Sequence, residues 1–191
     1  MTTCFSALAI AAALLAPSAV CAEPAQTPAP HQTLGPLVQS MIDRNALADQ
    51  VALNKWDSHG AVFVPARETQ LLDAVRRKAP AYQLTADDAA RFQLGQMEAN
   101  RLIQYQLLDD WYSRGKAPET RRTPLADLRS RLDTLQDSQL KALANISSLR
   151  RTPACSALVA LEVKRAAYEH RLDAVHHLAL VRSVGDICAS P

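Results

Sequence analysis

The chain has 191 residues, 48% of them hydrophobic, and its 21 Lys and Arg against 19 Asp and Glu leave a net charge of only +2. Its five glycines (Gly35, Gly60, Gly95, Gly115 and Gly185) are never closer than 20 positions, which excludes the clustered glycines of a dinucleotide fingerprint or a P-loop. The near-neutral charge argues against a nucleic-acid binder, and the 60 alanines and leucines predict one mostly helical domain with a sizeable core.

In chain order, residues 1–22 carry no charge, and the apolar run Phe5–Leu15 is too short to span a membrane. Small residues ending Val20-Cys21-Ala22 fit a cleaved signal peptide, although no Lys or Arg precedes the run. A lipoprotein reading would use Cys21, but Ala19-Val20 makes a poor lipobox. An exported protein, periplasmic or secreted, is expected. Residues 23–35 are polar and Pro-rich and read as a flexible leader before a domain over 36–191.

Proline is tolerated at a helix start and disfavoured inside. The proline-free stretches therefore predict helices over roughly 36–58, 65–78, 85–114, 124–149 and 153–184. Thr85, Thr123 and Thr152 are candidate caps, the last two just before Pro124 and Pro153. Leu125, Leu128, Leu132 and Leu135 form one apolar stripe. No alternating β-branched run competes. The fold class expected is all-α, a bundle of about five to six helices, with Ser113–Pro124 as an internal loop whose Arg121-Arg122 pair reads as a solvated connector.

Export also decides how the cysteines are read. Signal cleavage removes Cys4 and Cys21 and leaves Cys155 and Cys188, an even pair in an oxidising compartment. A disulfide is expected. The rival, a metal site with His170, His176 and His177, lacks ligand spacing.

Three polar features exceed what a plain bundle needs. Arg44 and Lys55 lie eleven residues apart, close to three full turns, so both leave one helix face and could reach toward one anion. They could equally be unrelated surface cations. Gln96, Asn100 and Gln104 form an uncharged stripe, which is either exposed or turned toward a polar cavity. Arg129 borders the leucine stripe, where it either snorkels or clamps a carboxylate. No nucleophile motif or acid–base carboxylate pair stands out, so an enzyme here would work with cations and amides on an anion.

These residues resemble a known family. Leu37–Trp56, with arginine, lysine eleven on, then tryptophan, is similar to the opening of the exported AroQ-type (gamma subclass) chorismate mutases. Arg67-Glu68, Gln104-Tyr105, the Leu125–Leu135 run and the Cys155/Cys188 pair continue the match in order over about 36–189. The resemblance implies the type II chorismate mutase fold, an isomerase and no cofactor or metal. It assigns Arg44 and Arg129 to the two carboxylates of chorismate. Lys55 is assigned to a carboxylate and the breaking ether oxygen, Gln104 to that same oxygen, and Glu68 to the ring hydroxyl. Arg67 lines the site, and Asn100 supports a carboxylate. It further implies a homodimer with each site built within one chain. Relatives tend to carry Asp where this chain has Val64, which leaves hydroxyl recognition to Glu68 or to backbone groups.

The chemistry suits these residues on its own terms. Rearrangement of chorismate to prephenate needs no nucleophile, only a folded dianion and stabilised charge on the ether oxygen. The expected partner is chorismate, with no nucleic acid and no stable membrane association after cleavage. The alternative is an inactive secreted helical binding protein on the same fold.

Overall fold

The proline-free stretches do form helices in the computed structural model, which describes residues 30–189. The expected signal peptide, the leader up to residue 29 and the last two residues lie outside the described residues. Seven α-helices and one 3-10 turn, with no strand, make up the described residues. They are α1 (Pro30–Ser58), α2 (Pro65–Lys78), the turn Ala79–Tyr82, α3 (Ala86–Arg114), α4 (Leu125–Asn145), α5 (Ser147–Arg150), α6 (Cys155–Glu169) and α7 (Ala174–Ser183).

Three of the expected stretches have other bounds, one of them 124–149, which breaks at Ile146 into α4 and α5. Helix α1 begins at Pro30 and runs through Pro36, so it extends six residues into the stretch expected to be a leader. Proline forfeits one backbone hydrogen bond there, but Leu34, Leu37, Val38 and Met41 are fully buried, and that burial outweighs the loss. The stretch 153–184 divides in two, because Arg171 takes a left-handed φ of 50° and Asp173 caps α7 by accepting from the His176 backbone N–H at 2.8 Å. Of the three threonine caps only Thr85 forms, accepting from the Asp88 backbone N–H at 3.1 Å. Thr123 gives its own N–H to Gln50 Oε1, and the Thr152 hydroxyl donates to the Leu149 carbonyl.

Helix α1 is the central element, touching α3, α4, α6 and α7, while α3 also packs on α2 and α7. The main core joins the first half of α1 to Val75, Phe92, Leu140, Leu143 and Leu180. The leucine stripe of α4 packs as expected, with Leu128 buried against Leu47 and Val51. Trp56 meets Trp111 edge-on, with ring centroids 6.2 Å apart, and closes the far end of α1 and α3. The Cys155–Cys188 disulfide is present, with Cα atoms 5.9 Å apart. It ties the chain end to α6, and the buried Arg150 donates from Nε to the Ile187 carbonyl at 2.6 Å beside it. No helix among the described residues is long and apolar enough to cross a membrane.

Candidate active site

Four helices contribute to one cavity. Arg44 and Lys55 come from α1, Arg67 and Glu68 from α2, Asn100 and Gln104 from α3, and Arg129 from α4. All seven candidate residues line the same space of about 350 Å³. Its walls are otherwise largely apolar, with Val62, Val64, Leu71, Met97 and Leu132. An inner lobe of about 170 Å³ shares Arg44, Lys55, Arg67 and Arg129 and adds Gln93, Asp133 and Gln136. That size and lining suit a small polar ligand.

The eleven-residue spacing works as helix geometry requires: α1 presents Arg44 and Lys55 to the cavity from one face. Arg44 is buried; its Nη1 donates to the Leu132 carbonyl at 3.1 Å, and its Nε has no protein acceptor. Burial pushes its guanidinium down to about 10, against the opposing pull of Asp133, so it stays cationic at neutral pH. Lys55 lies against Gly60, where an added Cβ would approach its side chain to 3.3 Å. Among the described residues, none of Arg44, Lys55, Arg67 and Arg129 has a carboxylate within ion-pair distance. Four cations facing one cavity with no carboxylate in ion-pair range can together receive an anion of matching charge.

The amide stripe divides. Gln96 is fully buried away from the cavity, donating to the Ser183 carbonyl at 2.7 Å and so joining α3 to α7. Asn100 and Gln104 face the cavity and form a directed chain. Asn100 Nδ2 donates to the Arg44 backbone carbonyl at 3.4 Å, and Gln104 Nε2 donates to Asn100 Oδ1 at 2.7 Å. A carbonyl can only accept, so each amide downstream must be turned with its nitrogen as donor. Gln104 therefore keeps a second N–H for a ligand. Asn100, expected to support a carboxylate, also orients Gln104 here, and its own Nδ2 likewise keeps a second N–H.

Glu68 has a partner that the sequence did not suggest. Arg101 Nη1 donates to both of its carboxylate oxygens, at 2.8 and 2.7 Å, and the Arg101 guanidinium carbon lies 4.7 Å from the centre of the Phe63 ring. Gln93, in the inner lobe, was also missed; it is 1% exposed, with neither amide atom bonded within the protein. Its position three residues before Gln96 was the available signal.

The chain is similar to known proteins over most of its length. A family model described as chorismate mutase type II matches residues 36–105. The crystal structure of chorismate mutase from Burkholderia phymatum superposes with a TM-score of 0.82 at 42% identity, covering 84% of this chain and 99% of that one. The chorismate mutase structure from Burkholderia thailandensis gives a TM-score of 0.78 at 30% identity, over 82% and 99% of the two chains. A secreted chorismate mutase of Mycobacterium tuberculosis is 24% identical over 155 residues, 81% of this chain and 78% of its own.

Proposed function

Since this chain belongs to the chorismate mutase family, we propose that its four cavity cations and the Gln104 amide carry out the rearrangement of chorismate to prephenate. The protein is an exported chorismate mutase, an isomerase that breaks one C–O bond and forms one C–C bond within a single substrate molecule. Such a reaction asks the protein for two things: a dianion held in its folded, reactive shape, and stabilisation of the charge that grows on the ether oxygen.

The first task falls to Arg44 and Arg129, each on one carboxylate, with Arg67 adding positive potential to the wall. A charge-assisted hydrogen bond of this kind contributes about 1.5–3 kcal/mol. The buried, under-bonded Nε of Arg44 is the observation that carries this reading, because a buried guanidinium donor left without an acceptor is costly until an anion arrives. The second task falls to Lys55 and to the free N–H of Gln104, both aimed at the ether oxygen. Lys55 also touches a carboxylate. Asn100 holds Gln104 in the donating orientation, and Glu68 accepts from the ring hydroxyl.

All of these side chains come from one chain, which supports a site complete within each protomer. We infer a homodimer, which sedimentation equilibrium of the mature protein tests directly. The activity is tested by following the ultraviolet loss of chorismate on addition of the purified protein. Catalysed loss with prephenate as product is expected. Tight binding without turnover would instead make it a secreted binding protein on this fold.

A further inference from the structure

We propose that Arg101 is a positioning residue for Glu68, and that the pair recognises the substrate's ring hydroxyl at the rim where Val64 supplies no charge. The inference rests on the reading that Glu68 accepts from that hydroxyl.

Glu68 stands in the first turn of α2, and Arg101 reaches it across the packed α2–α3 interface. Both side chains are largely shielded, at 16% and 19% exposure, so this is no solvated surface pair of small worth. Arg101 is itself held from several sides. Its guanidinium lies over Phe63, and Glu98 stands 3.8 Å away on the same helix. Glu98 is in turn gripped by Arg182 Nε of α7 at 2.6 Å. A cation fixed this thoroughly gives the Glu68 carboxylate one direction. Because a single Nη1 spans both carboxylate oxygens, each oxygen keeps lone-pair capacity for an O–H donor in the cavity that both residues line. Val64 is on the same rim, exposed, and offers no acceptor beyond its backbone. The Arg101–Glu68 pair is thus placed to do from α3 and α2 what an acidic side chain at position 64 would do from the loop.

The test uses two substrates, chorismate and its analogue with the ring hydroxyl replaced by hydrogen, which is still an allyl vinyl ether able to rearrange. A contact made equally in the bound and transition states changes KM more than kcat. Arg101→Met is expected to raise KM for chorismate roughly tenfold, with kcat within about threefold, and to shift KM for the analogue less than about twofold. Glu68→Gln should show the same split, and the double variant should be no worse than Glu68→Gln alone, since Arg101 acts through Glu68. Arg101→Lys, which keeps the cation without the fork, should recover part of the chorismate KM.

Equal losses on both substrates, or additive losses in the double variant, would reduce Arg101 to a structural prop and overturn the proposal. Failure of both Arg101 variants to fold would do the same. If Glu68→Gln does not discriminate the two substrates, the role given to Glu68 falls first. If Glu68→Gln discriminates and Arg101→Met does not, this inference alone falls.

Discussion

At the α6–α7 end of the bundle most charges have a partner, and at the cavity end four cations have no carboxylate in ion-pair range. Arg165 is bonded to Glu162 and Glu169, Arg182 to Glu98 and Asp186, and His176 lies between Asp49 and Asp173. Arg44, Lys55, Arg67 and Arg129 converge on the cavity with no carboxylate in ion-pair range among the described residues. Of the paired charges, Arg182–Glu98 and His176–Asp49 dock α7 on α3 and α1 and the others are local to one segment, each for a modest gain. Unpaired burial does the reverse: lowering Arg44 from the usual guanidinium range to about 10 corresponds to about 3 kcal/mol against the charged state in the empty protein. On the proposed function the substrate dianion offsets that cost, a division between stability and activity that can be broken experimentally.

The largest effect should come from removing a cavity cation. Arg44→Met, Lys55→Ala and Arg129→Ala are each expected to lower kcat/KM at least a hundredfold, about 3 kcal/mol or more. Arg44→Met should nevertheless melt at or above the wild-type temperature, because it removes a buried charge lacking a carboxylate partner. Near-normal turnover would take the residue out of the site, and a strongly lowered Tm would make Arg44 part of the scaffold. The opposite end should answer in the opposite sense. Replacing both Cys155 and Cys188 by serine is expected to lower stability by about 4 kcal/mol on loop entropy, with kcat of the folded fraction unchanged. Denaturant titration beside steady-state kinetics separates the two; a large fall in kcat would mean that the disulfide end shapes the cavity.

This contrast explains what the sequence could reveal. Arg44 and Lys55 were legible as one face because both sit on a single helix, and the leucine stripe and Thr85 cap were legible for the same local reason. The disulfide followed from export and an even cysteine count. The Arg101–Glu68 pair joins two helices, and no spacing within either announces it. The amide stripe misled because four-residue steps advance about 40° each around a helix. Gln96 therefore ends on α7 while Gln104 ends in the cavity. The α6–α7 break lacks glycine and proline and rests on the left-handed Arg171, visible beforehand only through the capping aspartate that follows.

Smaller effects test the comparison through pH. An amide donates regardless of pH, so wild-type turnover should be nearly flat from about pH 5 to 8 and decline as Arg44 loses its proton near pH 10. Gln104→Glu should turn that plateau into a rise toward acid of at least about tenfold, since only the protonated carboxyl donates. A wild-type rate already climbing steeply below neutrality would remove Gln104 from the ether oxygen. At the paired end, the bond to Asp49, then that to Asp173, hold the His176 imidazolium up to about 9 from 6.5. A raised folded-state value means the contribution is whole below about 6.5 and disappears as pH climbs through about 9. With His176 partly solvated, the loss should be on the order of 1 kcal/mol. Wild-type Tm should fall across that window relative to His176→Asn, with kcat flat; parallel Tm curves would show that the bridge does not stabilise the fold.

The smallest change joins the two behaviours at one position. Val64 is the N-cap of α2, in extended conformation, with no side-chain cap bond and its side chain on the cavity rim. An aspartate there could accept from the Arg67 backbone N–H, three residues on, and complement the helix dipole, for about 0.5–1 kcal/mol of stability. The same carboxylate would stand beside Arg67 and Glu68, offering the ring hydroxyl a second acceptor and adding negative charge to the rim. If the unpaired positive field is what draws the substrate, Val64→Asp should raise Tm by a few degrees yet change KM less than about threefold, the hydroxyl contact offsetting the weaker attraction of the dianion. A rise in KM of tenfold or more would show that the cavity tolerates no added anion, and that valine at this position protects the field. A tenfold fall would show instead that hydroxyl recognition, and not the cation field, is the weak point of this site.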